Sequence, residues 1–374
     1  MCQFFSFRFR SFLALLFLSF FTFLSTGVSQ EAIAQPPIQF NGIVRYVDSQ
    51  DHPQYGWLTY DQGEITVQAT DIDGTLPIQE VVSRVTAKKI NIDSNSISWS
   101  DLVDQKRVLN PVYQPKHAIF VGLNYPEHAE QSGMKVPSTP VLFEKADGAL
   151  TDPYADILYP VRLKRLLDYE VELGVVMKNE VPLGGEMANE AEALSHIFGY
   201  VLVNDYGFRD LQLSEGQWWK GKSIDRGTPV GPWILLPDTL TGMNIASLWD
   251  QFELQLAVMK KGHRDFDVRQ QAFASQAIHR LDTIINSISE TIILEPGDLI
   301  STGTPAGCAM RVNPLMKGLA QLFVFNAQQR THLFIETQQK KLENENQRLY
   351  LLPGDQVKAR ISLLGEQENA IKQR

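Results

Sequence analysis

Residues 167–176 read LDYEVELGVV. A run this rich in Val and Leu belongs inside a sheet, yet it carries Glu170 and Glu172 two positions apart. Alternate residues of a strand point to opposite faces. Tyr169, Val171, Leu173 and Val175 therefore form an apolar face for a core, while Glu170, Glu172 and Gly174 share the other. Carboxylates so placed lie about 7 Å apart along the strand at the Cα level. At ~6 Å and an effective dielectric near 20 they repel by roughly 3 kcal/mol. Gly174 leaves the third position on that face open, without a side chain. Taken alone, the pair fits a solvated face of an edge strand, with Lys164 and Arg165 as nearby partners. It becomes a binding site only if further oxygen ligands converge on it.

Such ligands follow downstream. Asn204-Asp205 ends the strand-like run FGYVLVND, at a strand-to-helix turn where a side chain can reach over a sheet. Arg209 and Gln212 stand four and seven residues beyond Asp205, on one face of a helix. Lys222 lies in WWKGKS, a glycine-containing loop. Two Glu and one Asp make an all-oxygen set that suits Mg²⁺, Mn²⁺ or Ca²⁺ and does not suit zinc or copper. No Cys or His pair has zinc-site spacing along the chain.

The rest of the chain narrows the class. Arg8 and Arg10, the apolar run SFLALLFLSFFTFL and the Ala32-Ile33-Ala34 pattern form a basic n-region, an h-region and an A-x-A site. The apolar run is shorter than the roughly 20 residues a spanning helix needs. Residues 1–34 read as a cleaved signal peptide rather than a retained anchor, so the mature chain is expected to be exported, periplasmic or secreted, with no membrane association. The formal net charge is −9, and loss of Arg8, Arg10 and Glu31 makes the remainder one charge more negative. That argues against nucleic acid as a partner. Cys2 leaves with the leader and Cys308 remains alone, so stability rests on an ordinary hydrophobic core.

Residues 35–112 alternate apolar stretches with turns (FNGIVRYVD, GWLTYDQGEITV, TAKKINI) and read as a small β-rich N-terminal module. Pro111 and Pro115 mark a junction to a second domain, 113–374. There AIFVGLN, VLFEK, FGYVLVND and FELQLAVM read as strands, while PEHAEQSG, NEAEALSHI and QAIHRLDTIINSISE read as helices. Pro296-Gly297-Asp298 and Pro353-Gly354-Asp355 each read as a turn feeding a strand. Residues 311–350 form a Gln- and Lys-rich insertion with amphipathic helical content.

Seven blocks carry a family resemblance: GLNYPEHAEQSG, PVLFEKADGAL, DYEVELGVVM, GYVLVNDYGFRDLQ, WWKGKSIDRGTPVGPWIL, LEPGDLISTGTPAG and LLPGDQVKARISLLG. In this order they resemble the fumarylacetoacetate hydrolase family over most of residues 117–365. The resemblance implies an α+β, β-rich fold, a mixed β-roll or barrel with flanking helices, in a homodimer. It implies a divalent cation, Mg²⁺ or else Mn²⁺ or Ca²⁺, held by Glu170, Glu172 and Asp205. The implied substrates are small 2-oxo acids or 1,3-dicarbonyl compounds. Hydrolysis of a C–C bond is the leading expectation; an isomerase or decarboxylase, or a catalytically weak binding protein, is the alternative.

By the same resemblance Lys222 adds positive charge beside the reacting oxygen. Tyr125, Lys145, Arg209, Gln212 and Thr304 match substrate-binding or metal-shell positions, although Arg209 and Asp210 also fit a local helix pair and Thr304-Pro305 a plain turn. His128 matches the family's catalytic histidine. In hydrolytic members a glutamate three residues later orients that histidine for water activation. This chain has Gln131 there and Glu130 one residue earlier, about 100° around the helix. Either Glu130 takes over, or the enzyme does enolate chemistry without a strong base, or activity is low. Cys308, after TGTPAG, reads as an inert buried thiol or a redox-sensitive one.

Overall fold

The computed structural model describes residues 37–312, 326–344 and 347–374. The leader at 1–34 and the insertion's residues 313–325 and 345–346 lie outside them. The strand Val171–Met177 is buried at every position. It pairs antiparallel with Ile197–Asn204 on one side and with Leu299–Ser301 on the other. It is thus a central strand, and the solvated-edge alternative fails. Lys164 and Arg165 are not partners of the acids: Lys164 pairs with Glu343 at 3.0 Å and Arg165 with Asp210 at 2.6 Å. Nor is the position of Gly174 open. A Cβ there would meet Val201 Cγ1 and Val203 Cγ2, each at 2.7 Å, so the glycine lets the neighbouring strand's valines close the space.

This strand belongs to an 11-stranded mixed sheet. Across it run Ile92–Ser98, Glu64–Asp73, Pro53–Asp61, Gln39–Val47, Trp233–Thr241, Ile197–Asn204, Val171–Met177, Leu299–Ser301, Ala118–Gly122 and Val141–Glu144, and the eleventh, Val108–Leu109, pairs with Gln39–Val47 off this row. A 5-stranded sheet runs Asp267–Phe273, Glu253–Met259, Gln356–Ile361, Gly365–Gln373 and Ile157–Tyr159. The architecture is α+β and strand-rich, as expected. Both sheets have two free ends among the described residues, so neither closes as a barrel.

The N-terminal β-rich stretch is the flank of the large sheet. Gln62 and Gly63 take φ of +52° and +97°, the left-handed values a two-residue hairpin needs, and join Pro53–Asp61 to Glu64–Asp73. The strand Gln39–Val47 then pairs with Trp233–Thr241, so that Ile43 stands opposite Ile234. The described residues form one compact unit. The helix Ile78–Thr86 was not anticipated, although its buried Ile78, Val81 and Val82 have helical spacing.

Two departures concern elements that bear on the site. Asp205 and Arg209 do not share a helix. Gly207–Phe208 first forms a short strand with Leu167–Asp168, and the helix is Arg209–Ser214. Lys222 ends a short helix, Trp219–Lys222, rather than lying in a loop. The two Pro-Gly-Asp turns do feed strands, Leu299–Ser301 and Gln356–Ile361. In each, the buried aspartate accepts backbone N–H bonds that lock the turn: Asp298 from His117 and Glu295, Asp355 from Lys261 and Leu352. The long helix of the insertion is Ala327–Lys341.

Candidate active site

Glu172 lies within the central strand and Glu170 just ahead of it; Asp205 follows the end of the neighbouring strand. Register explains their meeting: Val171 stands opposite Asn204, which places Asp205 beside Glu170, and the Asp205 N–H donates to the Glu170 carbonyl at 2.8 Å. Each of the three acids offers an oxygen within 4.8 Å of the others. Glu170 is 4% exposed, Glu172 2% and Asp205 0%. Carboxylates so buried require compensation.

Three cations supply it. Lys222 donates to Glu170 Oε2 and, at 2.7 Å, to Asp205 Oδ2. Lys145 donates to Asp205 Oδ1. Arg209 donates to Glu170 Oε1, to Asp168 Oδ2 at 2.8 Å and to Gln212 Oε1 at 2.8 Å. Arg209 is therefore part of the cluster and not a helix partner of Asp210. Among the described residues no cation bonds to Glu172; Ser301 Oγ at 2.6 Å and the Gly303 N–H at 3.2 Å hold its Oε2. Gly303 has φ of +96° and no room for a Cβ, with Asn124 Cβ 2.8 Å away.

These contacts set the charges. Burial raises the Glu170 pKa, but Arg209 and Lys222 outweigh it and hold Glu170 well below the usual carboxylate range. Glu172 is pushed up to about 8, by burial and then by Asp205 and Glu170. Burial opposes the charge on Lys222, yet Asp205 and Glu170 raise it above the ordinary lysine value. Burial lowers Lys145 in spite of Asp205. His128 is brought down to about 4 by burial, so its imidazole is neutral at pH 7.

His128 sits on the helix Pro126–Gln131, its Nε2 4.0 Å from Glu170 Oε1 and its Nδ1 3.6 Å from Cys308 Sγ. Neither expected partner reaches it. Glu130 is exposed. Gln131 Oε1 instead accepts the Gly307 N–H at 2.9 Å, which ties the histidine helix to the loop bearing Cys308. Thr304 donates to the Val171 carbonyl and accepts from Gln270, both at 2.9 Å; it braces the strand. Tyr125 is buried with an unpartnered hydroxyl, and burial together with Glu172 raises its pKa. Gln212 is buried against Arg209.

Two residues escaped sequence reasoning. Asp168 accepts from Arg209 and from the Tyr169, Ala309 and Met310 N–H groups. Its signal was present, since Asp168, Glu170 and Glu172 continue one alternation. Trp218 closes the site: its ring lies where a side chain at Gly122 would stand, 2.4 Å from such a Cβ, and packs edge-on to Phe143 at 5.4 Å. The cavity left, lined by His128, Glu170, Glu172, Lys222 and Trp218, is about 20 Å³, room for one ion or water. A far larger concavity of about 850 Å³ between Trp99, Trp233 and Arg360 contains none of these groups. The converging ionisable side chains, rather than volume, mark the candidate site.

The donor set fits a hard divalent cation. All three acids offer oxygen, the space is ion-sized, and the Lys222 ammonium already bridges Glu170 and Asp205 where positive charge is wanted.

The chain and its fold have known counterparts. The family model for the C-terminal domain of fumarylacetoacetate (FAA) hydrolase matches residues 117–372, and the chain belongs to that family. It is 31% identical over 233 residues to a fumarylacetoacetate hydrolase domain-containing protein 2 homolog of Dictyostelium discoideum, covering 61% of this chain and 73% of that one. It is 30% identical over 211 residues to the mitochondrial oxaloacetate tautomerase Fahd2a of Rattus norvegicus, covering 56% and 62%. It is 34% identical over 238 residues to a 2,4-didehydro-3-deoxy-L-rhamnonate hydrolase of Sphingomonas sp. (strain SKA58), covering 63% and 76%. The crystal structure of Cg1458 with inhibitor shares the fold with a TM-score of 0.64 at 22% identity, over 89% of this chain and 99% of that one.

Proposed function

We propose that the protein is a divalent-metal-dependent enzyme that interconverts keto and enol forms of small 2-oxo acids. The observation that carries this reading is the buried ring of Glu170, Glu172 and Asp205 enclosed by Lys145, Lys222 and Arg209, beside a histidine to which neither Glu130 nor Gln131 bonds. Glu170, Glu172 and Asp205 would hold the cation, which when bound supplies Lewis acidity toward the oxo-acid oxygens.

The chain's own groups do the rest. Lys222 brings positive charge beside an oxygen that becomes anionic on enolisation, and preorganised charge of this kind is usually the largest catalytic contribution. The neutral His128 can accept a proton at an imidazole nitrogen and return it. Trp218 must move to admit substrate, and its return over Gly122 would exclude water, which favours proton shuffling over hydrolysis. The tautomerase activity of the rat relative supports this assignment. Hydrolysis of a C–C bond is the second reading, favoured by the Sphingomonas hydrolase, which is similar over 63% of the chain. It needs a water activator, and neither Glu130 nor Gln131 bonds to His128.

The leader pattern supports export to the periplasm or beyond, with the mature chain beginning near Gln35; the family resemblance supports a homodimer. The deciding experiment follows the enol absorbance of oxaloacetate with residues 35–374, with and without Mg²⁺ or Mn²⁺, beside an acylpyruvate hydrolysis assay. Metal-dependent loss of enol absorbance without acylpyruvate cleavage supports the tautomerase reading; cleavage at a comparable rate favours the hydrolase. Failure of both reactions overturns the proposal in favour of a binding protein.

A further inference from the structure

Beside the hard-oxygen ring lies a second donor set of different chemistry. Cys308, His128 and Glu170 each offer a ligand atom within 4.8 Å of the others, and all three are buried. Two of its three edges are close to those between zinc ligands, and the third, His128 to Glu170, is 4.0 Å at its shortest, from Nε2. Tetrahedral zinc with Zn–S of about 2.3 Å and Zn–N of about 2.05 Å holds its sulfur and nitrogen about 3.6 Å apart. Cys308 Sγ and His128 Nδ1 are 3.6 Å apart. Cys308 Sγ and Glu170 Oε1 are 3.9 Å apart, against about 3.6 Å for a zinc-bound pair of this type.

The set is braced from both sides. Gln131 holds the Gly307 N–H, fixing the loop before Cys308 to the helix of His128. The Ala309 and Met310 N–H groups bond to Asp168, fixing the loop after it to the short strand Leu167–Asp168. These ties preorganise sulfur, nitrogen and oxygen before any ion arrives, which lowers the cost of closing a site. No sequence spacing betrays it, because Cys308 and His128 are 180 residues apart.

We infer that His128, Cys308 and Glu170 form a binding site for a soft or borderline divalent ion of the zinc class, overlapping the hard-cation site through Glu170. The site takes thiolate, imidazole and carboxylate, a combination that selects zinc-like ions over Mg²⁺ or Ca²⁺. Binding balances simply: the ion enters, the Cys308 thiol proton leaves to solvent, and no electron moves. Glu170 turns from Arg209 to the ion, and Arg209 keeps Asp168 and Gln212. Occupancy would engage His128 and one hard-site carboxylate together, so a zinc-class ion acts as an inhibitor that Mg²⁺ displaces poorly. The site is a property of the folded chain and holds whether or not the tautomerase reading does.

The test uses Co²⁺ as a spectroscopic stand-in for zinc on residues 35–374, kept reduced. The expected result is a thiolate-to-cobalt charge-transfer absorption in the near ultraviolet that saturates at one equivalent, survives excess Mg²⁺ and is bleached by one equivalent of Zn²⁺. Cys308→Ser should abolish the band while leaving Mg²⁺ binding by calorimetry unchanged, and His128→Asn should weaken cobalt binding by about 10–100-fold or more. No band in the wild type, or an equal band in Cys308→Ser, overturns the inference. If Cys308→Ser does not fold, Cys308→Ala is read in the same way, and a melting curve in EDTA certifies either variant. Where turnover is measurable, Zn²⁺ should inhibit the wild type at least about 100-fold more potently than the serine variant; equal inhibition contradicts the assignment.

Discussion

Lys222→Met isolates what the central ammonium contributes. Its Nζ bridges Glu170 and Asp205, all three groups lie almost wholly out of solvent, and methionine keeps most of the stem's volume. Around it Asp168, Glu170 and Asp205 form a closed set of ion pairs with Lys145, Arg209 and Lys222. Removing one cation strands a buried carboxylate, which typically costs 3–5 kcal/mol. A divalent ion can restore the lost charge. Metal at one hundred times its dissociation constant stabilises the wild type by about 2.7 kcal/mol; in the variant, where no ammonium competes for Glu170 and Asp205, the ion should bind more tightly and stabilise more. The assay is urea unfolding in EDTA and in saturating Mg²⁺ for both proteins, with turnover measured alongside. The expected pattern is a large loss of stability in EDTA, substantial rescue by Mg²⁺, and turnover that falls about 10²–10³-fold and is not rescued. A loss under 1 kcal/mol in EDTA, or an identical Mg²⁺ increment in both proteins, would refute the charge-balance reasoning.

Glu130→Gln should leave turnover and melting temperature unchanged, because Glu130 is exposed on the histidine helix; a large drop in rate would reinstate it as the histidine's partner. Gln131→Ala removes the acceptor for the Gly307 N–H and should cost about 1–3 kcal/mol, read by urea unfolding, while the Glu replacement keeps that acceptor and should be milder. Folded Glu172 holds its proton to a pH of about 8, whereas the unfolded chain releases it near the ordinary glutamate value. This group's contribution to metal-free stability is therefore full at low pH and lost as pH rises toward 8, which urea midpoints in EDTA would reveal against a flat profile for Glu172→Gln. Gly174→Ala should destabilise by about 1–3 kcal/mol, since its methyl would meet Val201 and Val203; a neutral effect would mean those valines repack freely.

What the sequence made legible was set by periodicity and reach. The i, i+2 spacing of Glu170 and Glu172 foretold their common face, and the strand-end place of Asp205 foretold its approach. Lys222 and Lys145 were legible only through family blocks, because nothing local says that a lysine on a short helix or at a strand end will turn into a core. Asp168 was visible in the same alternation and overlooked. Glu130 and Gln131 could not be sorted from sequence: both sit one turn or less from His128, and only the loop at Gly307, 176 residues away from Gln131, decides which is occupied and with what. The nature of the space around Gly174 was misjudged for a related reason. A missing side chain reads as a vacancy along one strand, whereas the neighbouring strand's valines fill it.

The ties of Glu172 carry a consequence for folding. Its Oε2 is held by Ser301 and Gly303, 129 and 131 residues further along, while Lys145 reaches Asp205 across 60 residues. Long loops must close before such contacts stabilise anything, so chains built this way fold slowly. Until Leu299–Ser301 docks, the central strand carries Glu172 without its Ser301 and Gly303 donors, and the closing of that strand is the event that completes the site. Recovery of metal binding after dilution from denaturant should therefore trail recovery of helical signal, making the ion a reporter of the last long-range docking event rather than of collapse.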